Sequence, residues 1–187
     1  MPAAERRREV PAPAAPDMPT TSPARGGSAG EALAAGATTE AAIAWVRARN
    51  LSVPVAGLDT RSIVPSFSQA RGTRIHEALD IMAAAGTPVI AVEDGTVVRL
   101  FTSNAGGLTI YQFDPTRSVA YYYAHLQRYA PGLAEGDAVS RGEVIGYVGS
   151  TGNASAEAPH LHFAIFVLGP ERRWWEGTAI DPYPVFS

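Results

Sequence analysis

From residue 51 onward, apolar and polar positions alternate in short runs broken by Gly, Pro, Asn and Asp, the period-2 rhythm of β-strands. TPVIAVEDGTVVRLF (87–101) reads as two strands joined at Glu93-Asp94-Gly95, a hairpin turn signal. GGLTIYQF follows the turn Asn104-Ala105-Gly106-Gly107, and SVAYYYAHL is a further strand with Tyr121, Tyr123 and His125 on one parity. AVSRGEVIGYVG supplies two short strands around Arg141-Gly142, and HLHFAIFVL (160–168) is the last long one. GTPVIAVEDGTVV and GDAVSRGEVIGYVG share a faint Gly-x-x-Val…Gly-x-Val rhythm, a hint of related halves. The expected fold is mainly β: an antiparallel β-sandwich, or a barrel-sandwich hybrid.

Helical periodicity is scarce. TTEAAIAWVRARN (38–50) has a Thr cap, Glu40 in its first turn, Arg47 and Arg49 in its last, and Asn50 as a stop. It predicts a short helix from Glu40 to Arg49 that connects to the strand-rich part. Beyond residue 53 only the stretch around His76 leaves room for another helix.

Composition narrows the organisation. Residues 1–30 hold six of the fifteen prolines and almost no large apolar side chains, so they are expected to be disordered. The expected division is a disordered Ala/Pro/Arg-rich leader over 1–37, a connecting helix over 38–50 and one domain over 51–187. The leader lacks the apolar core of a signal peptide. No apolar run is long enough to span a bilayer, and the net charge of −3 offers nothing to nucleic acid or an anionic membrane. Cysteine is absent, so a transition metal would have to be held by His, Asp or Glu.

The chain has four histidines, all in the strand-rich part. His160 and His162 lie two apart, so on a strand both rings project to one face, with Leu161, Phe163 and Ile165 on the other. His76 and Asp80 are four apart, a spacing that suits one helix face or a loop leading into a strand. Asp80 sits directly before Ile81-Met82, an awkward place for an acid unless it coordinates something or caps a turn. A catalytic zinc site wants three N or O ligands and an open fourth position. His76, Asp80 and one histidine of the HxH pair meet that count. The two remaining histidines would serve as acid/base groups.

These motifs together resemble the LytM/lysostaphin-type zinc metalloendopeptidases, which cut peptide bonds in bacterial peptidoglycan. The likeness runs from SFSQARG (66–72) through HEALDI, AGTPVIAVEDGTVV, GG (106–107), YYYAHL and GDAVSRGEVIGYVGSTGNAS to PHLHF (159–163). The resemblance implies that His76, Asp80 and His162 bind zinc and that His125 and His160 are the catalytic, non-ligand histidines. One of these two would take the proton of an activated water and the other would steady the tetrahedral intermediate. Arg71, Tyr123 and Asn104 are candidate substrate-binding residues. The family's glycine two residues after the first histidine is Ala78 here, and its tyrosine shortly before that histidine is absent. His125 is therefore the candidate for steadying the oxyanion. The implied substrate is a peptidoglycan peptide stem, with the D-Ala–diamino acid cross-link as the expected bond. The implied location is the periplasm or cell envelope.

Two other readings compete. LytM-like relatives that have lost zinc ligands activate a cell-wall amidase by contact, but here each ligand position is filled. GDAVSRGEVIGYVG also has the rhythm of a biotinyl or lipoyl carrier, yet such carriers need a lysine at the turn and the chain has none.

Overall fold

The computed structural model describes residues 39–187; the leader expected over 1–37 lies outside the described residues. Its first element, α1 (Thr39–Arg47), runs into a turn that stops at Asn50, whose φ of 54° is left-handed. Ala42 and Val46 are buried in the main core, so α1 is packed into it. A second short helix, α2 (Tyr183–Phe186), closes the described chain with Val185 buried. The strand pattern did not announce it, since Asp-Pro-Tyr-Pro reads as a turn. Among the described residues no helix is long and apolar enough to cross a membrane.

The strands are β1 (Ala70–Arg71), β2 (Arg74–Ile75), β3 (Leu79–Met82), β4 (Pro88–Ile90), β5 (Gly95–Ser103) and β6 (Gly107–Phe113). They continue with β7 (Val119–Tyr129), β8 (Ala138–Val139), β9 (Val144–Val148), β10 (His160–Leu168) and β11 (Gly177–Ile180). β1 and β2 form a small separate hairpin, while the other nine strands form one antiparallel sheet with the central order β11-β10-β7-β6-β5-β8. β3 adds to β10, and β9 bridges β7 to β4. The mainly-β antiparallel architecture expected from the alternation is the one observed.

The hairpin expected at Glu93-Asp94-Gly95 is not a hairpin. β4 pairs with β9, and β5 pairs with β6 and β8, so the strands flanking Glu93-Asp94-Gly95 part company. Likewise β8 and β9 do not pair across Arg141-Gly142. Instead the two segments of the faint repeat run antiparallel along each other. Gly95 lies opposite Val139, Pro88 lies opposite Tyr147, and Ala91 exchanges backbone hydrogen bonds with Gly142 and Glu143. The chain does bend at residues 92–94, but β4 takes β9 as its partner and β5 takes β6 and β8.

Alternation sorts the sheet's two faces. Leu161, Phe163, Ile165, Tyr121, Tyr123 and Ile110 enter the main core with α1 and α2. Ala164, Phe166, Ala120, Tyr122 and Tyr111 face the other way, under Trp174. Tyr123 is fully buried, and its hydroxyl donates to Gln112 Oε1 at 2.7 Å and accepts from Val92 N at 3.2 Å. Tyr121 is equally buried and donates to Glu93, which also pairs with Arg49 at the end of α1. Tyr123 therefore does not line a substrate groove. Its parity was read correctly, but that parity belongs to the core.

Candidate metal centre

β10 pairs with β3 in a register that sets His162 directly opposite Asp80. Residues opposite each other in an antiparallel pair hold their Cβ atoms about 4.5–5.5 Å apart, close enough for the two side chains to meet at one point. His76 joins them from the irregular lead-in to β3; no helix forms there. Its backbone N–H donates to Gln69 O at 2.9 Å, and the next residue, Glu77, takes a left-handed φ of 54°. Ser66 holds this lead-in. Its carbonyl accepts from His76 Nδ1 at 3.0 Å, and its hydroxyl accepts from Asp80 N at 2.9 Å.

The result is a triangle of ligating atoms. His76 Nε2 lies 3.0 Å from Asp80 Oδ1, His162 Nδ1 lies 3.1 Å from the same oxygen, and the two nitrogens are 3.0 Å apart. A carbonyl can only accept, so His76 Nδ1 carries the proton and Nε2 turns a lone pair inward. Three acceptor atoms thus converge with at most one proton, on His162, to share among them. A cation is the group that fits such a point. For zinc with tetrahedral bonds of about 2.0–2.1 Å, ligand atoms sit about 3.3 Å apart, close to the observed edges.

Charge distribution agrees. Burial works against ionisation of Asp80, but hydrogen bonds and charge from His162 and His76 outweigh it, and the carboxyl lies far below the usual range. Arg71, on β1, donates to Asp80 Oδ2 at 2.6 Å. His162 is pushed down chiefly by burial, against the raising effect of Asp80, which favours the neutral, ligating form.

His125 and His160 stand beside the triangle. Their rings are 4.9 Å apart, and His125 lies 5.5 Å from the His162 ring. His160 Nδ1 donates to Ala158 O at 2.9 Å and His125 Nδ1 to Thr151 O at 2.8 Å, so both keep the Nε2 lone pair free. Burial lowers the His125 pKa to about 4, with smaller help from His162 and His160 and against the bond to Thr151.

His125 reaches the site by breaking parity. It has a left-handed φ of 60°, and at this point β7 leaves β10 (Ala124 opposite His162) and joins β9 (Leu126 opposite Val148). The twist turns its ring to the His162 face, away from Tyr121 and Tyr123. The hairpin tip frames it: His125 N donates to Gly106 O at 2.8 Å. A Cβ on Gly107 would come within 2.4 Å of the Thr151 carbonyl carbon and 2.5 Å of Gly152 N, so only glycine lets these loops close. Asn104 is exposed at that tip, and Arg71 is exposed beside Asp80. Ser66 and Thr151 were not singled out as site residues from sequence. Both orient a histidine ring through a backbone carbonyl, which leaves no side-chain signal.

The sequence pattern of Peptidase family M23 matches residues 74–182, more than half of the chain, and takes in all four histidines and Asp80. The chain belongs to peptidase family M23. Its M23 region is 36% identical over 118 residues to the L-Ala–D-Glu endopeptidase of Bacillus subtilis (strain 168), covering 60% of this chain and 35% of that protein. It is 39% identical over 97 residues to a DD-carboxypeptidase/endopeptidase of Neisseria meningitidis serogroup B, covering 51% of this chain and 21% of that protein. The chain thus spans only a minor part of the length of these curated M23 relatives. The fold is similar to the catalytic domain of lysostaphin from Staphylococcus simulans, with a TM-score of 0.54 and 28% identity over 77% of this chain and 96% of that one.

Proposed function

We propose that this M23 domain is a zinc-dependent endopeptidase that hydrolyses peptide cross-links of bacterial peptidoglycan. The observation that carries the reading is the acceptor triangle of His76, Asp80 and His162, flanked by two histidines whose Nε2 lone pairs are free. Zinc held by those three residues supplies a Lewis acid for the scissile carbonyl and acidifies water. His160, with Nε2 3.7 Å from Asp80 Oδ1, accepts the proton of the attacking water. The same His160 then delivers that proton to the leaving amine, and His125 beside it is the candidate for steadying charge on the tetrahedral intermediate. Arg71 anchors Asp80 and turns the rest of its guanidinium toward solvent, where the substrate arrives.

The D-Ala–diamino acid bond is the proposed target, in keeping with the name of the Neisseria relative, and the place of action is the cell envelope. The rival reading, a regulator that activates a cell-wall amidase without hydrolysis, rests on lost ligands, and all three positions here hold ligating side chains.

Zinc content and muropeptide release, measured together on the native chain, His162→Ala and His125→Ala, test this. The expected result is about one zinc per native chain, loss of metal and activity in His162→Ala, and loss of activity alone in His125→Ala. A native protein that holds zinc but releases no muropeptide would favour the regulator. One that binds no metal would sink the reading.

A further inference from the structure

The small hairpin of β1 and β2 borders the metal centre and carries more positive charge than its surroundings balance. Its register sets Arg71 directly opposite Arg74, and Gly72 turns the chain between them with a left-handed φ of 65°. Residues opposite each other in an antiparallel pair project to one face, and like charges placed so are destabilising. Asp80 is the only carboxylate in an ion pair with either guanidinium among the described residues. Arg74 is exposed, and Glu77, the nearest acid along the chain, pairs with neither arginine.

Arg71 itself is only partly committed. Its two side-chain hydrogen bonds, to Asp80 Oδ2 at 2.6 Å and to Gln69 Oε1 at 3.5 Å, both leave from Nη2. A guanidinium has five N–H donors, so the three on Nε and Nη1 have no partner among the described residues. The side chain is half exposed, which opens those donors to solvent. They stand one carboxylate away from the ligand triangle, because Asp80 gives Oδ2 to Arg71 and Oδ1 to the point shared with His76 and His162.

We infer that Arg71, with Arg74 beside it, binds a free carboxylate on the amine side of the scissile bond, so that the site selects cross-links whose leaving nitrogen stands on a carboxylate-bearing carbon. The inference rests on the reading of the metal centre as a peptidoglycan peptidase. It names the group by which that site tells one cross-link from another.

In a cross-link from D-Ala to a diaminodioic acid such as diaminopimelate, the leaving nitrogen belongs to the D-centre, whose own carboxyl takes part in no peptide bond. That carboxyl carbon lies two bonds, about 2.5 Å, from the leaving nitrogen. A scissile bond held against the triangle keeps the carboxylate within a few ångströms of it, the same range as the free donors of Arg71. Forked, charge-assisted hydrogen bonds to carboxylate are the interaction a guanidinium makes best. A cross-link through the side-chain amine of lysine, or through polyglycine, carries no charge at that carbon. It would leave the donors unpaired, and sites built to pair a polar group reject analogues that lack it.

Two synthetic D-Ala–diaminopimelate cross-linked peptides that differ at one group test this: the D-centre carboxyl is free in one and a primary amide in the other. Binding is measured by calorimetry on zinc-loaded His160→Ala, which keeps the three ligands and both arginines but lacks the base, and on the same protein carrying Arg71→Gln. Values of kcat and KM for each peptide are measured on the native chain, Arg71→Gln, Arg71→Lys and Arg74→Gln. Taking the ratio of the two peptides within one protein cancels any change in zinc occupancy. The acid should be preferred over the amide by about tenfold or more, the scale of one charge-assisted hydrogen bond, in binding and in kcat/KM. That preference should fall toward unity in Arg71→Gln, return in part in Arg71→Lys and shrink less in Arg74→Gln. The loss should fall on KM, because the carboxylate is charged in the ground state and the transition state alike. Equal binding of acid and amide by His160→Ala, or a preference that survives Arg71→Gln, would overturn the inference. Acid-selective binding with no cleavage of either peptide by the native chain would uphold the carboxylate site and sink the peptidase reading instead.

Discussion

Arg71 Nη2 donates to Asp80 Oδ2 at 2.6 Å, while Oδ1 of the same carboxylate faces His76 and His162. One oxygen is thereby occupied, so Asp80 would offer a metal at this point a single oxygen, Oδ1. Partners that orient a ligand in this way are worth about 10–100-fold in metal affinity or activity. Arg71→Gln is therefore expected to weaken zinc binding by about tenfold in competition with a chromophoric chelator. Arg71→Lys, which keeps the charge but not the fork, should recover part of it. Equal affinity in all three proteins would remove Arg71 from the metal's support.

Closure of the hairpin tip over Thr151 orients His125 and touches none of the proposed ligands. Gly107→Ala places a methyl against Thr151 and Gly152 at a left-handed φ of 64°. The expected phenotype is full zinc content with activity reduced by about 10²-fold, the range of a misplaced charge-steadying group. Loss of zinc in this variant would mean that the loop supports the triangle as well.

Tyr123 offers a contrast between core and site. Tyr123→Phe leaves Gln112 Oε1 and Val92 N–H without their partner in a fully buried setting. Stability should drop by about 1–3 kcal/mol in urea unfolding. The KM for a cross-linked peptide should stay unchanged. A raised KM at unchanged stability would return Tyr123 to the groove.

Asp114 sets an acid limit on the fold. Burial opposes its charge, but hydrogen bonds from Thr116 and from the Val119 N–H, with the charge of Arg49, hold its pKa below the usual carboxylate value. A carboxylate depressed in the folded state contributes stability above its unfolded pKa of about 3.9 and loses it as pH falls through the folded value. The urea midpoint of the native protein should therefore fall as pH drops below about 4, and Asp114→Asn should be less stable at neutral pH by about 2 kcal/mol, with a flatter acid slope. An unchanged slope in the variant would assign the acid limit to other groups.

Much of the site was legible in the chain because strand periodicity is a local property. The two-residue spacing of His160 and His162 set both rings on one face, and the apolar Leu161, Phe163 and Ile165 went to the core as the alternation required. His76 and Asp80 could be paired by spacing, but whether a helix or a loop joined them could not. That was decided by the pairing of β3 with β10, which lie far apart in sequence. The rhythm shared by the two Gly-x-x-Val segments was visible. Their reciprocal pairing was not, because Glu93-Asp94-Gly95 looks like a hairpin turn whichever strands lie beside it.

What the sequence alone determined was therefore the strand-rich class, the two faces of each strand and the identity of the four histidines and Asp80. Tertiary structure decided which strands meet, the left-handed twist that carries His125 out of the parity of Tyr123, and the carbonyls of Ser66 and Thr151 that orient two rings. The physical reason is one of range. Alternation and turn chemistry act within a few residues, whereas register, strand exchange and backbone strain are selected by the packing of segments that meet only after folding.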